Sequence, residues 1–174
     1  MSRVAKADWD RLAEAALEAR RNAYAPYSRF QVGAAILLPD GEIVSGANVE
    51  NASYGLALCA ERNAFGTAMA QGRRAFTAIA VATQSSPPGP PCGLCLQTMA
   101  ELCEDIDILL VNPAGERQRT KLSRLMGQPF RWKGAGTPSW KGEKKAQTKK
   151  AQTKKAQTKK AQTKKARGAS KAAT

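Results

Sequence analysis

From Lys144 the chain reads Lys-Lys-Ala-Gln-Thr four times in succession, and a fifth Lys-Lys-Ala runs into Arg167. On a helix a five-residue repeat turns by about 140° per step. Its lysines would therefore spread around the axis and leave no apolar stripe to bury. Residues 141–174 carry twelve lysines and one arginine against one glutamate, a net +12, and their apolar residues are all alanines. Such a segment cannot offset the entropy of ordering itself. Residues 134–174 are therefore expected to be a disordered basic tail, and the folded domain is expected within residues 1–133.

The first 140 residues hold fifteen basic and thirteen acidic side chains, only +2, and have an ordinary globular composition with length enough for a real core. Histidine is absent from the whole chain. That excludes Ser-His-Asp and Cys-His catalysis, the His-Glu-x-x-His metalloproteases and every imidazole base. Proton chemistry near neutral pH then falls to a perturbed Asp, Glu, Lys, Cys or Tyr, or to a metal-bound water. Four cysteines are too few for a disulfide scaffold. The start, MSRVAKADWDRLAEAA, lacks the apolar run of a signal peptide, and no stretch suits a membrane span. A cytoplasmic, reducing setting is expected.

Apolar periodicity predicts a helix over Ala7–Ala23, with Trp9, Leu12, Ala13, Ala16 and Leu17 on one face. Phe30–Leu38 and Glu42–Ala47 read as strands joined by Pro39-Asp40-Gly41, a hairpin turn. Leu58–Gln71 reads as a helix and Phe76–Thr83 as a buried strand. A Pro-rich loop over Ser85–Pro91 precedes a helix over Cys92–Cys103. Ile106–Val111 is a further strand, and Leu122–Met126 a last short helix. Helices interleaved with apolar strands argue an α/β domain with helices on both faces of a mixed sheet.

Three of the four cysteines fall in two suggestive places. Cys59 opens a predicted helix in Cys59-Ala60-Glu61-Arg62, and Pro91-Cys92-Gly93-Leu94-Cys95 opens another. Alone, Cys-x-x-Cys fits a zinc site or a redox pair. Three thiolates leave the open fourth position of a catalytic zinc, and a helix N-terminus favours the thiolate form. Cys103, eight residues past Cys95, lies about 12 Å further along a helix axis and reads as a packed core thiol. Glu61 is placed to carry a proton from metal-activated water. Arg62 reads as either a solvated helix charge or the counter-charge to the thiolates. A zinc ligand-x-Glu followed by Pro-Cys-x-x-Cys is the zinc nucleobase deaminase signature.

From Ala23 to about Phe130 the chain resembles the homotetrameric, all-cysteine class of cytidine deaminases. The resemblance is carried by Ala25-Pro26-Tyr27-Ser28-Arg29-Phe30-Gln31-Val32-Gly33-Ala34-Ala35, by Asn48-Val49-Glu50-Asn51-Ala52-Ser53-Tyr54-Gly55, and by the two cysteine motifs. It implies a three-layer α/β/α sandwich around a five-stranded mixed sheet. It implies one zinc per chain on Cys59, Cys92 and Cys95, with Glu61 as proton shuttle. It also implies ribose contacts from Asn48 and Glu50, a base contact from Phe30, and backbone contacts to the base from Ala60. Phe130 is implied to reach a neighbouring subunit's pocket. Read without the resemblance, Asn48 and Glu50 form a polar turn and Phe30 is a core aromatic. The family pattern has a small residue at position 94 and Arg at 96, and this chain has leucine at both.

The implied reaction is zinc-dependent hydrolytic deamination of cytidine and deoxycytidine to uridine and deoxyuridine, releasing ammonia, as in pyrimidine salvage. One alternative is a deaminase of the blasticidin S type, although Asn48-Val49-Glu50 favours an unmodified ribose. Another is a nucleic-acid-binding protein whose deaminase domain is inert or edits polynucleotide. A homotetramer is expected, as is non-specific nucleic-acid binding, with nucleoid association, through residues 141–174.

Overall fold

The computed structural model describes residues 4–132, so the basic tail expected over 134–174 lies outside the described residues. Helix α1 spans Lys6–Arg21, and Trp9, Leu12, Ala13 and Ala16 are its buried face. Strands β1 (Gly33–Leu37) and β2 (Ile43–Ala47) form an antiparallel hairpin with Gly33 opposite Ala47 and Leu37 opposite Ile43. Its turn closes where the Gly41 N–H donates to the Leu38 carbonyl at 3.0 Å. Gly41 sits there at φ +87°, a conformation glycine adopts without steric cost. Helix α2 (Ala60–Ala70) leads to β3 (Ala78–Ala82), which pairs antiparallel with β1. Helix α3 (Gly93–Leu102) crosses over to β4 (Asp107–Val111), parallel to β3. Strand β5 (Arg117–Lys121) and the single-turn α4 (Leu122–Leu125) follow. The sheet order is β2-β1-β3-β4-β5, and one parallel pair among antiparallel ones makes it mixed.

Strand alternation divides the core in two. Ala34, Ile36, Ile79, Val81, Ile108 and Leu110 face a cluster containing Phe65 and Met99, from α2 and α3. Ala35, Leu37, Ala80, Leu109 and Val111 face Trp9, Leu12 and Ala16 of α1. One helix therefore covers one face and two cover the other, which are the three layers the sequence implied. Phe65 meets Phe76 edge-to-face with centroids 5.0 Å apart, an arrangement worth about 0.5–1.5 kcal/mol beyond its buried area.

The elements expected from sequence are all present, with ends moved by a few residues. Strand β5 is the element that periodicity missed. Its sequence, Arg-Gln-Arg-Thr-Lys, has no apolar residue, and it lies at the sheet edge. Side-chain pairs hold it down instead. Arg117 bridges Asp10 at 2.6 Å, the Arg119 guanidinium lies 4.9 Å from the Trp9 ring, and Lys121 is 3.4 Å from Asp107.

Candidate functional site

Cys59 and Cys92 are the N-cap residues of α2 and α3. Their carbonyls accept the first turn's hydrogen bonds, from Asn63 at 3.0 Å and Leu96 at 2.9 Å. Neither sulfur caps its own helix. Both turn instead toward Cys95, in the first turn of α3. Cys59 Sγ lies 3.8 Å from Cys92 Sγ, Cys92 Sγ lies 3.5 Å from Cys95 Sγ, and all three fall within 4.8 Å of one another. Zinc bound tetrahedrally at about 2.3 Å sets its sulfurs about 3.8 Å apart. The three thiols fit that ion. Among the described residues this is the only such cluster of potential metal ligands. Cys103 is buried in the core around Met99, as expected, and is not part of it.

Close packing fixes the start of α2 against β2. Gly46 of β2 lies so near α2 that a Cβ there would fall 2.5 Å from the Ala64 nitrogen and 2.7 Å from the Ala60 carbonyl oxygen. Ala60, the first residue of α2, has a backbone N–H without an intrahelical acceptor. Asn63 donates to the Ala47 carbonyl at 2.7 Å and ties the same turn to the end of β2.

The sulfurs share protons. The Cys59 thiol is lowered to about 6, because Cys95 and Cys92 donate hydrogen bonds to it and the Arg62 charge lies close, against the opposing effect of burial. Cys95 is correspondingly pushed up as the donor to Cys59, with burial and the negative charges of Glu61 and Cys59 adding to the shift. Glu61, in the first turn of α2, is only 4% exposed. Burial raises its carboxyl above the ordinary range, and the Cys59 charge adds to that. A buried carboxyl with raised proton affinity thus lies beside the three thiols.

A second group of polar side chains lies one bridge away. Val49 pairs with Leu58 through two backbone hydrogen bonds of 2.9 Å and with Tyr24 on its other side. The antiparallel bridge sets Asn48 opposite Cys59, and alternation puts Asn48 and Glu50 on one face of the chain. The Asn48 amide accepts from the Val32 N–H at 2.8 Å and donates to the Phe30 carbonyl at 2.9 Å. Glu50 accepts from the N–H groups of Tyr27 at 2.9 Å and Ser28 at 3.2 Å, and from the Ser28 hydroxyl. The Ser28 hydroxyl holds its carboxyl below the usual range, and the two backbone donors assist.

Residues 7–109 match the family described as the cytidine and deoxycytidylate deaminase zinc-binding region. This chain belongs to that deaminase family. A cytidine deaminase of Halalkalibacterium halodurans is 51% identical over 124 residues, covering 71% of this chain and 94% of the relative. The crystal structure of cytidine deaminase from Burkholderia pseudomallei is 47% identical, with a TM-score of 0.68. It covers 70% of this chain and 98% of that one. A blasticidin-S deaminase of Bacillus cereus is a weaker match, 29% identical over 107 residues.

This deaminase places the remaining sequence-predicted residues as follows. Arg62 is half-buried on α2 and acts on the Cys59 charge. Phe30 borders the Asn48 and Glu50 group through its own backbone. Phe130 is 70% exposed, but Gln97 grips its backbone with bonds of 2.8 and 3.1 Å. Gln97 is two residues past Cys95 on α3, and sequence reasoning passed over it because a lone helical glutamine carries no signal. Leu96 is 8% exposed within the core, whereas Leu94 is 66% exposed at the start of α3. An apolar contact thus backs the cysteine helix where the family pattern has a cation.

Proposed function

We propose that this chain hydrolyses the exocyclic amine of cytidine and deoxycytidine, giving uridine or deoxyuridine and ammonia. One zinc per chain would be held by Cys59, Cys92 and Cys95. The observation that carries this reading is the closure of three sulfurs on one another beside the buried Glu61. Bound zinc would supply Lewis acidity and would make a water beside Glu61 more acidic. Glu61 takes a proton from the attacking water, delivers it to N3 of the base, and carries a second to the amine that leaves. Its raised affinity for protons suits that task near neutral pH. Arg62 offsets the negative charge of the thiolates. Phe30 packs on the base, the Ala60 N–H contacts it, and Asn48 and Glu50 bind the ribose hydroxyls.

The working unit in this reading is a homotetramer. Tyr54, Leu56, Leu58, Leu94 and Phe130 are exposed apolar side chains of one chain, and neighbouring subunits would cover them. Phe130, held by its backbone with the ring outward, would enter a neighbour's pocket. The catalytic domain is taken as residues 1–133 and the basic tail as 134–174. With +12 over residues 141–174, the tail would bind nucleic acid without sequence preference by releasing counterions. Four tails acting together would strengthen that binding through avidity. The setting proposed is a reducing cytoplasm, associated with the nucleoid through the tail. This accords with four cysteines that form no disulfide. No helix among the described residues is long and apolar enough to cross a membrane.

The test is zinc content measured beside the loss of absorbance as free cytidine turns over, with single-stranded DNA as a parallel substrate. One zinc per chain and turnover of the free nucleoside support the proposal. Deamination of the polymer alone would replace it with the editing reading. Truncation after Trp140 should leave cytidine turnover unchanged and abolish a DNA affinity that falls steeply with salt. Undiminished DNA binding would instead place the nucleic-acid site on the folded domain.

A further inference from the structure

The hydrogen bonds around Glu50 converge on one small side chain that the proposed mechanism does not use. Pro26 starts a tight turn that closes where the Arg29 N–H donates to the Ala25 carbonyl at 3.0 Å. Arg29 completes it at φ +57°, a left-handed conformation that costs a non-glycine residue about 1 kcal/mol or more. Such strain persists where the surroundings over-determine it. Here the turn aims the N–H groups of Tyr27 and Ser28 at one oxygen of Glu50, Oε2. The Ser28 hydroxyl donates to the other oxygen, Oε1, and at the same time accepts from the Phe30 N–H at 2.9 Å.

A carboxylate offers about four acceptor positions. Three are filled by this turn, and the one left lies on Oε1, the oxygen that Ser28 holds. The free direction of that oxygen is therefore set by the serine. Phe30, which also donates to this hydroxyl, is held independently by its carbonyl, which accepts from the Asn48 amide at 2.9 Å.

We infer that Ser28 is a positioning residue for nucleoside recognition, acting by orienting the Glu50 carboxylate toward the 2′- or 3′-hydroxyl of the ribose. The inference rests on the proposed role of Glu50 as a ribose contact. Ser28→Ala removes the donor to Oε1 and leaves the two backbone donors in place. Loss of a hydrogen bond to a charged group corresponds to about a tenfold to hundredfold loss. That loss is expected in kcat/KM for cytidine, mostly as raised KM. A cytosine nucleoside lacking the 2′- and 3′-hydroxyls, 2′,3′-dideoxycytidine, should lose less than about threefold. Ser28→Thr, which keeps the hydroxyl, should restore most of the cytidine rate.

The experiment measures kcat and KM for both nucleosides in the zinc-loaded full-length protein, as wild type, Ser28→Ala, Ser28→Thr, Glu50→Ala and the Ser28→Ala/Glu50→Ala double variant. Zinc content and melting temperature are followed alongside. The double variant should be no worse than Glu50→Ala alone, because the hydroxyl then has no carboxylate to orient. Equal losses for both nucleosides with Ser28→Ala, or none for either, would overturn the role of Ser28. If Ser28→Ala fails to fold, failure of Ser28→Thr to restore the preference for cytidine over the dideoxy nucleoside would overturn it equally. If Glu50→Ala itself penalises both nucleosides alike, the ribose reading beneath the inference is what has failed.

Discussion

Replacing Gly46 by alanine tests whether the sheet sets the geometry of the cysteine cluster. The added Cβ would lie 2.5 Å from the Ala64 nitrogen and 2.7 Å from the Ala60 carbonyl oxygen, both backbone atoms of α2. Ordinary contact begins at 3.4 Å, so the helix must retreat by about 0.7–0.9 Å. Cys59 and Glu61 ride on its first turn, whereas Cys92 and Cys95 belong to α3. The retreat would open the 3.8 Å spacing between Cys59 and Cys92 by a comparable distance. Metal–ligand distances tolerate about 0.2 Å. Overpacking of this kind costs about 1–3 kcal/mol, or roughly 3–12 °C in melting temperature for a domain of this size. Zinc affinity, measured against a competing chelator, should fall at least about tenfold. Gly66, on the same helix, has nothing within 4 Å of an added Cβ. Gly66→Ala should leave zinc binding intact and stabilise the protein by about 0.5–1 kcal/mol through helix propensity. Unchanged zinc affinity and melting in Gly46→Ala would refute the idea that contact between β2 and α2 holds the metal site together.

Two further outcomes follow from the cluster. Cys103 packs in the core beside Met99 and not with the other sulfurs, so Cys103→Ala should cost about 1 kcal/mol of stability and no zinc. Loss of metal from that variant would contradict the ligand set. Zinc must displace thiol protons, so its affinity should rise with pH. Because Cys95 is pushed up as the donor to Cys59, binding at pH 7.5 should release at least one proton per zinc. Below about pH 6, where Cys59 also takes up its proton, the dependence should steepen by about one further proton. Calorimetry in buffers of different ionisation enthalpy measures both numbers, and an affinity independent of pH would contradict the shared-proton account.

Much of this architecture was legible because its signals are local and periodic. Trp9, Leu12, Ala13 and Ala16 fall on one helical face, and the strands β1, β3 and β4 are apolar throughout, as expected of a sheet covered on both sides. The thiol cluster was legible because each cysteine motif opens a helix, and helix starts are marked in sequence. Strand β5 was not, since Arg117–Lys121 owes its place to ladder pairing with β4 and to partners such as Asp10 and Trp9. Nothing local records a contact 107 residues away. Around Glu50, the sequence marked the acid but not its donors. Two of these are backbone N–H groups aimed by the left-handed Arg29, and sequence does not reveal which residue will take that conformation. Gln97 was missed for a similar reason, because its role depends on where residue 130 returns to α3.

The proposed division of labour, with three sulfurs holding the metal and Glu61 carrying the proton, is tested most directly by Glu61→Gln. Glutamine keeps the size and burial of the side chain but cannot exchange a proton near neutral pH. Zinc content and cytidine turnover are measured on the same preparation. The account predicts one zinc per chain with turnover reduced by about 10²–10⁴-fold, the range for loss of a positioned acid–base group. A Gln variant that retains its zinc and turns over cytidine near the wild-type rate would contradict it.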